Sequence, residues 1–253
     1  VGMCILVIAA DDGIMPQTIE HFQIMELLGV AHGVVALTKM DLVDAALLER
    51  RIGEIRSWLA GSFLKDAPIC PLSSVSGAGV LDFHRCFSEA VQAAVRAESL
   101  GVFRMPVERV FAMEGYGRVL SGVPVAGQIA EGDLVELVPG GEKGRVRGMQ
   151  CFGRLTAQGH SGLCMALNIP DLARANPQRG QVLCLPGRLR PATVFHSRIQ
   201  MLAQTGLGVK NGERVKLHTG TSEVLARVFN LESQGLFSGD AAWVALVADE
   251  PVA

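Results

Sequence analysis

The chain has 253 residues, of which 49% are hydrophobic and 19% are charged, and its formal net charge is -2. This length exceeds the usual domain size of about 100 to 150 residues and predicts two or three domains, while the composition excludes a disordered or collagen-like chain. The near-neutral charge excludes nucleic-acid binding driven by total charge, but it allows a local basic face.

The six cysteines are scattered, with no C-x-x-C pair and no histidine pair at metal-ligand spacing. This pattern indicates neither a zinc site nor a disulfide framework, and it is typical of reduced thiols in a cytoplasmic protein. The apolar run at residues 1–10 is shorter than the roughly 20 residues that a membrane-spanning helix needs. We therefore predict a buried strand there and no membrane partner, and we expect that a further segment precedes a chain that starts inside a core strand.

The first 97 residues alternate short apolar runs with amphipathic stretches, which is typical of a parallel α/β sheet. The pattern predicts helices at 18–28 and 44–59, the second capped by Asp44, and a third helix that ends before Ser99-Leu100. Strands are predicted at 3–10, 33–37 and 67–72. The predicted buried faces are Ile19, Phe22, Met25 and Leu28 of the first helix, Leu48, Ile52, Ile55 and Leu59 of the second, and Phe83, Phe87, Val91 and Ala94 of the third.

Helical periodicity disappears after Gly101, and short β-type runs separated by glycine and proline take over. Runs at this spacing favour closed barrels. The fold class is therefore predicted as α/β followed by all-β, with a domain at 1–98, a β-barrel at 99–187 and an incomplete β-barrel at 188–253. The predicted strands are 107–112, 117–121, 134–138, 144–149, 164–169 and 182–185, then 193–201, 213–218, 223–230 and 241–247.

A polar motif, Thr38-Lys39-Met40-Asp41, follows the second predicted strand. Ligands of open α/β sheets bind at the carboxyl ends of the strands. Asp41 there is suited to accept two N–H donors of a guanine edge, while the stem of Lys39 lies along the ring and braces neighbouring loops. The alternative is a Thr-Asp pair that only caps the following helix.

A second small-residue motif, Ser73-Ser74-Val75, follows the next predicted strand and precedes the next helix. Small residues let backbone N–H groups approach a base carbonyl closely, so two consecutive strand ends converge on one ligand. The alternative is that Ser76 or Gly77 serves as a helix N-cap. The sequence thus predicts guanine binding by Thr38, Lys39, Asp41, Ser73, Ser74 and Val75.

These motifs, together with residues 8–18 (IAADDGIMPQT) and Glu20-His21, resemble the translational GTPases related to elongation factor Tu. Thr38 stands where the family usually has asparagine, as is common in its selenocysteine-specific branch. Similarity to the family's second domain continues at 103–111, 115–119 and 162–168. Segments 213–218 and 223–228 favour the selenocysteine-specific branch over elongation factor Tu itself. The resemblance implies a translation factor with GTP and magnesium as cofactors and with selenocysteyl-tRNA or another aminoacyl-tRNA, and the ribosome, as partners.

The phosphate-binding end of such a site is missing from this sequence. The phosphate-binding loop needs G-x-x-x-x-G-K-[ST], and none of the five lysines is followed by serine or threonine. The D-x-P-G-H segment that positions the attacking water is also absent. We therefore expect GTP hydrolysis only in a longer parent protein, and we expect neither GTP nor magnesium to bind well to these 253 residues.

The resemblance also implies an aminoacyl pocket on the second domain. The selenocysteine-specific factors present an Asp-Arg pair on its first strand and a second arginine in a G-x-R-x-A-L-N run, and these cations suit an anionic selenolate. Here Glu108 replaces the aspartate, Arg109 is kept and Cys164 stands in the place of the second arginine. The alternative for Arg109 is an outward-facing barrel residue that pairs with Glu108.

Two other functions stay open at the level of sequence. Cys164 makes an ordinary aminoacyl-tRNA elongation factor an alternative to a selenocysteine-specific one. A nucleotide-independent module that binds RNA or protein through its barrels is another, with Arg145 and Arg147 on one face of a predicted strand as candidate contacts to an RNA backbone.

Overall fold

The computed structural model describes residues 2–94, 101–113, 117–202, 206, 208–232 and 235–253. The chain divides into two compact units, residues 1–97 and 98–253. The predicted boundary at 98/99, the Ser99-Leu100 helix end and Gly115-Tyr116 of the barrel motif lie outside the described residues. Within those residues, no helix is long and apolar enough to cross a membrane.

The first unit is built on a three-stranded parallel sheet of order β1-β2-β3. Its strands are β1 (Met3–Ala9), β2 (His32–Thr38) and β3 (Ile69–Pro71). Residues 33–37 of the central strand β2 are all buried because strands flank it on both sides and helices cover its faces. The continuous apolar run at 33–37 had predicted this buried strand.

Three helices accompany the sheet: α1 (Pro16–Leu27), α2 (Ala45–Leu59) and α3 (Val80–Ala93). The predicted cap of α2 is confirmed, because the Leu47 amide donates to the Asp44 carboxylate at 2.7 Å. Ile55 and Leu59 of α2 are buried in the core of this unit. The α2 prediction therefore holds in both its start and its buried face.

The predicted buried faces of α1 and α3 are wrong in large part. Only Phe22 of α1 is buried, whereas Leu28 is 65% exposed, and α3 buries no residue fully, with Val91 48% exposed. Three strands span only about 10 Å from the first to the third. A sheet of that width leaves part of each helix's apolar face without a partner.

Among its described residues, the second unit contains only antiparallel sheets and has two separate hydrophobic cores. The first core includes Phe103, Leu120 and Leu183, and the second includes Val228 and Leu246. The sheet orders are β11-β10-β13-β6-β5, β12-β7, β4-β14-β8-β9, β15-β20-β18-β17 and β16-β19. The predicted class of α/β followed by barrel-like β structure is confirmed, while the division at 187/188 stays a prediction.

Nine of the described strands of this unit follow predicted runs, with shifts of one or two residues at most ends, whereas β4, β7, β11, β12, β16 and β19 were not predicted. The described strands are β4 (Arg104–Pro106), β5 (Arg109–Met113), β6 (Gly117–Gly122), β7 (Gln128–Ala130), β8 (Leu134–Val138), β9 (Lys143–Arg145), β10 (Gly148–Cys151), β11 (Arg154–Thr156), β12 (Gln158–His160), β13 (Met165–Asn168), β14 (Val182–Cys184), β15 (Ala192–Gln200), β16 (Gly208–Lys210), β17 (Glu213–Thr219), β18 (Ser222–Asn230), β19 (Gly235–Phe237) and β20 (Ala241–Val252).

One predicted strand, 144–149, is wrong as a single element. The chain leaves β9 after Arg145 and enters β10 only at Gly148, in a different sheet. Arg145 is already engaged, because its guanidinium donates to the Gly132 carbonyl at 2.8 Å. Arg145 and Arg147 therefore do not form the paired RNA contact on one strand that the sequence suggested.

The turn between β17 and β18 is hydrogen-bonded to the first barrel-like part of the second unit. Its Thr221 hydroxyl donates to the Val107 carbonyl at 2.7 Å and accepts from the Gly180 amide at 3.2 Å. The Gly180 amide also reaches the Val107 carbonyl at 3.3 Å. One side-chain oxygen thus joins three separate chain segments, and Val107 directly precedes Glu108 and Arg109.

We expect opposite effects from two glycine-to-alanine substitutions in the first unit. Gly79 has a φ of 73°, and a Cβ there would overlap the Pro71 carbonyl oxygen. Gly79→Ala should destabilise the unit by more than about 1 kcal/mol. Gly53→Ala, in the open on α2, should stabilise it by up to about 1 kcal/mol.

The measurement is urea unfolding followed by Trp58 fluorescence in a Trp243→Phe background, which leaves one tryptophan in the chain. Trp58 reports on this core because its ring packs 4.9 Å from that of Phe22. Equal midpoints for the two alanine variants would contradict the proposed backbone constraint at Gly79.

Candidate functional site

The two predicted guanine motifs lie side by side at the carboxyl end of the parallel sheet. The Leu72 amide donates to the Leu37 carbonyl at 2.9 Å, and the Met40 amide donates to the Leu72 carbonyl at 3.3 Å. These bonds extend the pairing of β2 with β3 beyond the strand ends. Residues 38–41 and 73–75 therefore form adjacent loops of one surface.

Thr38 and Asp41 do not cap the helix that follows them. The cap of α2 is Asp44, whereas the Thr38 hydroxyl donates back to the Ile8 carbonyl at 3.3 Å. Asp41 is exposed, and its carboxylate has no hydrogen-bond or ion-pair partner among the described residues. The capping alternative is wrong, and the Asp41 carboxylate is free to accept hydrogen bonds from a ligand.

Lys39 has a left-handed backbone, with a φ of 58°. This conformation is unfavourable for a lysine and is found mainly where the surroundings enforce it, often at binding sites. Its ammonium group lies 2.9 Å from an Asp11 carboxylate oxygen and 3.5 Å from one of Asp12. The lysine thereby bridges the loop after β1 to the loop after β2.

The Lys39–Asp11 contact affects the protonation of both groups. The hydrogen bond from Lys39 lowers the pKa of Asp11, and the hydrogen bond to Asp11 raises the pKa of Lys39. Both side chains are solvated, so the pair orients the lysine more than it stabilises the fold. The sequence predicted that Lys39 braces neighbouring loops, but it did not identify Asp11 as the partner, because nothing local relates residues 11 and 39.

Arg51 is a second residue of the site that the sequence did not reveal. It reaches from α2 under the loop after β1, where it donates to the Ala10 and Asp11 carbonyls, both at 3.2 Å. A 2.8 Å ion pair with Glu54 on the same helix orients it. Arg51 therefore supports the backbone of the residue that Lys39 contacts.

The Ser73 loop is organised around one buried hydroxyl. Ser73 is fully buried, and its hydroxyl accepts from the Val75 and Ser76 amides at 3.2 and 3.1 Å. The Ser74 amide has no internal partner in the described part of the first unit, so it is the amide available to a ligand. The Val75 side chain is 88% exposed.

The predicted helix caps at Ser76 and Gly77 are wrong, because the N-cap of α3 is Gly79. Ser76 and Gly77 instead belong to the turn that closes the Ser73 loop, where the Gly77 amide donates to the Ser73 carbonyl at 3.0 Å. The Ser73 loop is thus a compact turn that precedes α3 and does not form the first residues of that helix.

These residues fit the base of a guanine nucleotide but not its phosphates or a metal. An unpaired carboxylate at Asp41, a free amide at Ser74 and an oriented Lys39 stem are the groups that a guanine edge and ring require. Within the described residues, no group of three or more histidine, cysteine or acidic side chains could hold a metal ion. No step of phosphate chemistry can be assigned to them.

The predicted aminoacyl pocket falls on one face of the five-stranded sheet. The register aligns Arg109 of β5 with Ser121 of β6, Ala166 of β13 and Gln150 of β10. Cys164 directly precedes β13 and is exposed. The register thus fixes the face that Arg109 occupies, and Cys164 lies at the start of a strand of the same sheet.

Glu108 lies apart from these two residues. By strand alternation it belongs to the opposite side of β5, and no ion pair joins its carboxylate to Arg109 among the described residues. The alternative is therefore right that Arg109 is an outward-facing, exposed barrel residue and wrong that it pairs with Glu108. Within the described residues, no acid neutralises the Arg109 guanidinium.

A small apolar pocket of about 50 Å³, partly open to solvent, lies on this face and is lined in part by Gln150 and Ala166, which the register aligns with Arg109. Phe111 and Met113 of β5 line it together with Val119 and Leu155. Asn168 also lines it, and its buried side-chain carbonyl oxygen has no hydrogen-bond partner in the described part of the chain. A group with an apolar body and an N–H or O–H donor would satisfy both features.

Comparison with known proteins finds similarity to translation elongation factors. Residues 1–99 match the family model of the elongation factor Tu GTP binding domain. The chain is 38% identical over 242 residues to the selenocysteine-specific elongation factor of Desulfomicrobium baculatum, which covers 96% of this chain and 38% of that relative.

Solved structures agree in fold. A bacterial selenocysteine-specific elongation factor, EF-Sec, superposes with a TM-score of 0.86 at 26% identity, over 100% of this chain and 41% of that one. Elongation factor SelB from Methanococcus maripaludis, in complex with the GTP analogue GPPNHP, gives 0.85 at 21% identity, over 100% of this chain and 59% of that one. The chain thus spans less than two thirds of the length of each of these relatives.

The Lys39–Asp11 contact predicts an acid-shifted titration. We expect the Asp11 carboxyl to titrate below its ordinary pKa of 3.8, and Lys39→Met to return it toward that value. Because the folded-state pKa is the lower one, the contact contributes above pH 3.8 and is lost as the pH falls through the folded pKa. Carboxyl-detected NMR of Asp11 measures this. An unchanged Asp11 midpoint in Lys39→Met would contradict the assignment.

Proposed function

We propose that this chain recognises guanine nucleotide and aminoacyl-tRNA for delivery to the ribosome. It belongs to the GTP-binding translation factors related to elongation factor Tu, and selenocysteine-specific factors are among its relatives. The observation that carries the proposal is the 3.3 Å bond from the Met40 amide to the Leu72 carbonyl, which sets the two base-reading loops together. The setting is the cytoplasm, where protein synthesis takes place.

In the proposed guanine site each residue has a separate role. Asp41 accepts hydrogen bonds from the N–H donors of the guanine edge, and the Ser74 amide donates to the base carbonyl. The Lys39 stem covers the ring while its ammonium group holds Asp11. Ser73 shapes the loop from its buried position, Thr38 ties β2 to β1, and Val75 contributes its backbone to the turn.

Phosphate and magnesium binding require groups beyond those described above. GTP and Mg²⁺ serve the proposed function where a phosphate-binding loop completes the site, and the metal would supply charge neutralisation at the phosphates. The role of the residues in this chain is to select guanine. A nucleotide-independent module is not favoured, because residues 1–99 match a GTP-binding domain.

In the proposed aminoacyl site, Arg109 favours an ionised selenol over a neutral serine hydroxyl. Charge-assisted hydrogen bonds are roughly twice as strong as neutral ones, and nothing described neutralises Arg109. The exposed Cys164 adds no cation, so Arg109 is the chief source of discrimination, while Glu108 lies on the other face of its strand. The apolar pocket on the Arg109 face receives the uncharged part of the aminoacyl end.

Base recognition predicts a guanine-specific response of the chain itself. Guanosine at millimolar concentration should shift the amide NMR signals of Met40, Asp41 and Ser74, whereas adenosine, which lacks the donor pair for Asp41, should not. Asp41→Asn should abolish the response, because the amide places N–H donors against those of guanine. Asp44→Asn is the matched control and should keep the response. Equal shifts with adenosine and guanosine would refute the base-reading role.

Selenocysteine selectivity predicts a charge-dependent preference for one aminoacyl-tRNA. The test protein is a chimaera in which the phosphate-binding half of the D. baculatum factor precedes this chain. With GTP it should bind selenocysteyl-tRNA more tightly than seryl-tRNA, and Arg109→Gln should reduce that preference by at least about fivefold. Arg154→Gln, on the opposite face of the same sheet, is the control. Equal affinities for the two tRNAs would establish the ordinary elongation factor instead.

A further inference from the structure

The outer face of the four-stranded sheet β15-β20-β18-β17 carries a regular array of side chains that neither proposed site uses. The register aligns Val194, Val247 and Arg227 in one row and His196, Ala245 and Phe229 in the next. A third row aligns Arg198 with Trp243, and the Leu231 amide bonds to the Trp243 carbonyl at 3.1 Å. We call these nine residues the sheet-face array.

The array faces solvent, because the residues that alternate with it fill the core on the other side. Phe195, Val228, Val244 and Leu246 point into that core. On the array, Trp243 is 51% exposed and Phe229 39% exposed. The two aromatic rings therefore lie on neighbouring strands, whose backbones are roughly 5 Å apart. Along the strands, the rings are offset by one row of the array.

The charge on this face is positive and uncompensated where the aromatic residues lie. Arg198 and Arg227 have no ion-pair partner among residues 2–94, 101–113, 117–202, 206, 208–232 and 235–253. The acids on this face are already engaged at its β17 edge, where Asp249 pairs with Arg214 and Glu223 pairs with Lys216 at 2.7 Å. After Glu223, the next acidic residue in the chain is Glu232, which lies beyond the end of β18.

From this arrangement we infer that the sheet-face array binds single-stranded RNA, with Trp243 and Phe229 stacking on unpaired bases and Arg198 and Arg227 contacting phosphates. A flat sheet that displays aromatic rings among cations is the common platform for unpaired bases. An acidic protein would match the cations but would leave the exposed rings without a function. The choice of RNA over DNA rests on the proposed role in translation.

This surface is distinct from both sites described above. It lies on β15, β18 and β20, whereas Arg109 and the apolar pocket lie on β5, β6, β10, β11 and β13. It also requires no nucleotide. A failed guanosine or tRNA experiment would therefore leave the binding of unpaired bases standing and would remove only the reason for choosing RNA over DNA, and failure of the array to bind would leave both proposed sites standing.

The test uses the whole chain and a fluorescein-labelled oligouridine of about 10 nucleotides, with fluorescence anisotropy as the readout. We expect binding at low salt, weakened at least about fivefold by Trp243→Ala and largely kept by Trp243→Phe. Phe237→Ala is the matched control: Phe237 is 66% exposed but lies on β19 in another sheet, and its loss should leave binding unchanged.

In a separate experiment, the salt dependence of binding measures the contribution of the charged residues. Arg198→Gln and Arg227→Gln should each lower the slope of log affinity against log salt by about 1, whereas Arg214→Gln, whose charge Asp249 already engages, should change it less. Absence of oligouridine binding at low salt would overturn the inference. So would equal losses in Trp243→Ala and Phe237→Ala, or tighter binding of oligothymidine or of an oligoglutamate peptide than of oligouridine.

Discussion

The parallel pairing of β2 with β3, continued by the bond from the Leu72 amide to the Leu37 carbonyl, is the constraint on which the base-reading site depends. Parallel strands end at the same edge of a sheet, so the pairing brings together two loops that are more than thirty residues apart in sequence. Every other contact of the site refines that placement. If the pairing shifted by one residue, Asp41 and the Ser74 amide would no longer face the same ligand.

The site is organised before any ligand binds. Lys39 is held in a left-handed conformation, its ammonium group is fixed by Asp11, and Asp11 is fixed in turn by Arg51 through its backbone carbonyl. Ser73 performs the same task for the second loop through its buried hydroxyl. Such preorganisation lowers the entropy lost on binding, while the Asp41 carboxylate and the Ser74 amide have no hydrogen-bond partner among the described residues.

The sequence sufficed for the elements whose residues carry a local signal. The apolar run at 33–37 predicted β2, and the Asp44 cap with the spacing of the apolar residues after it predicted α2. The glycine and proline residues between short apolar runs predicted most strands of the second unit. The sequence failed where the outcome depends on distant partners. The exposure of Leu28 and Val91 reflects the width of the sheet, and the contacts of Lys39 with Asp11 and of Arg51 with Ala10 join residues with no sequence relation. Three-residue strands such as β7, β12, β16 and β19 are too short to show periodicity.

The Thr221 hydroxyl also limits how the two barrel-like parts of the second unit can diverge. A single oxygen joins the Val107 carbonyl, the Gly180 amide and the β17–β18 turn, and Val107 is one residue from the proposed aminoacyl strand pair. An insertion in that turn, or a replacement without a hydroxyl, would remove the shorter bond to the Val107 carbonyl and leave this carbonyl only the 3.3 Å bond from the Gly180 amide. Recombination between related genes would therefore keep these hydrogen bonds only if both parts were exchanged together, or if the β17–β18 turn were exchanged together with the segments around Val107 and Gly180.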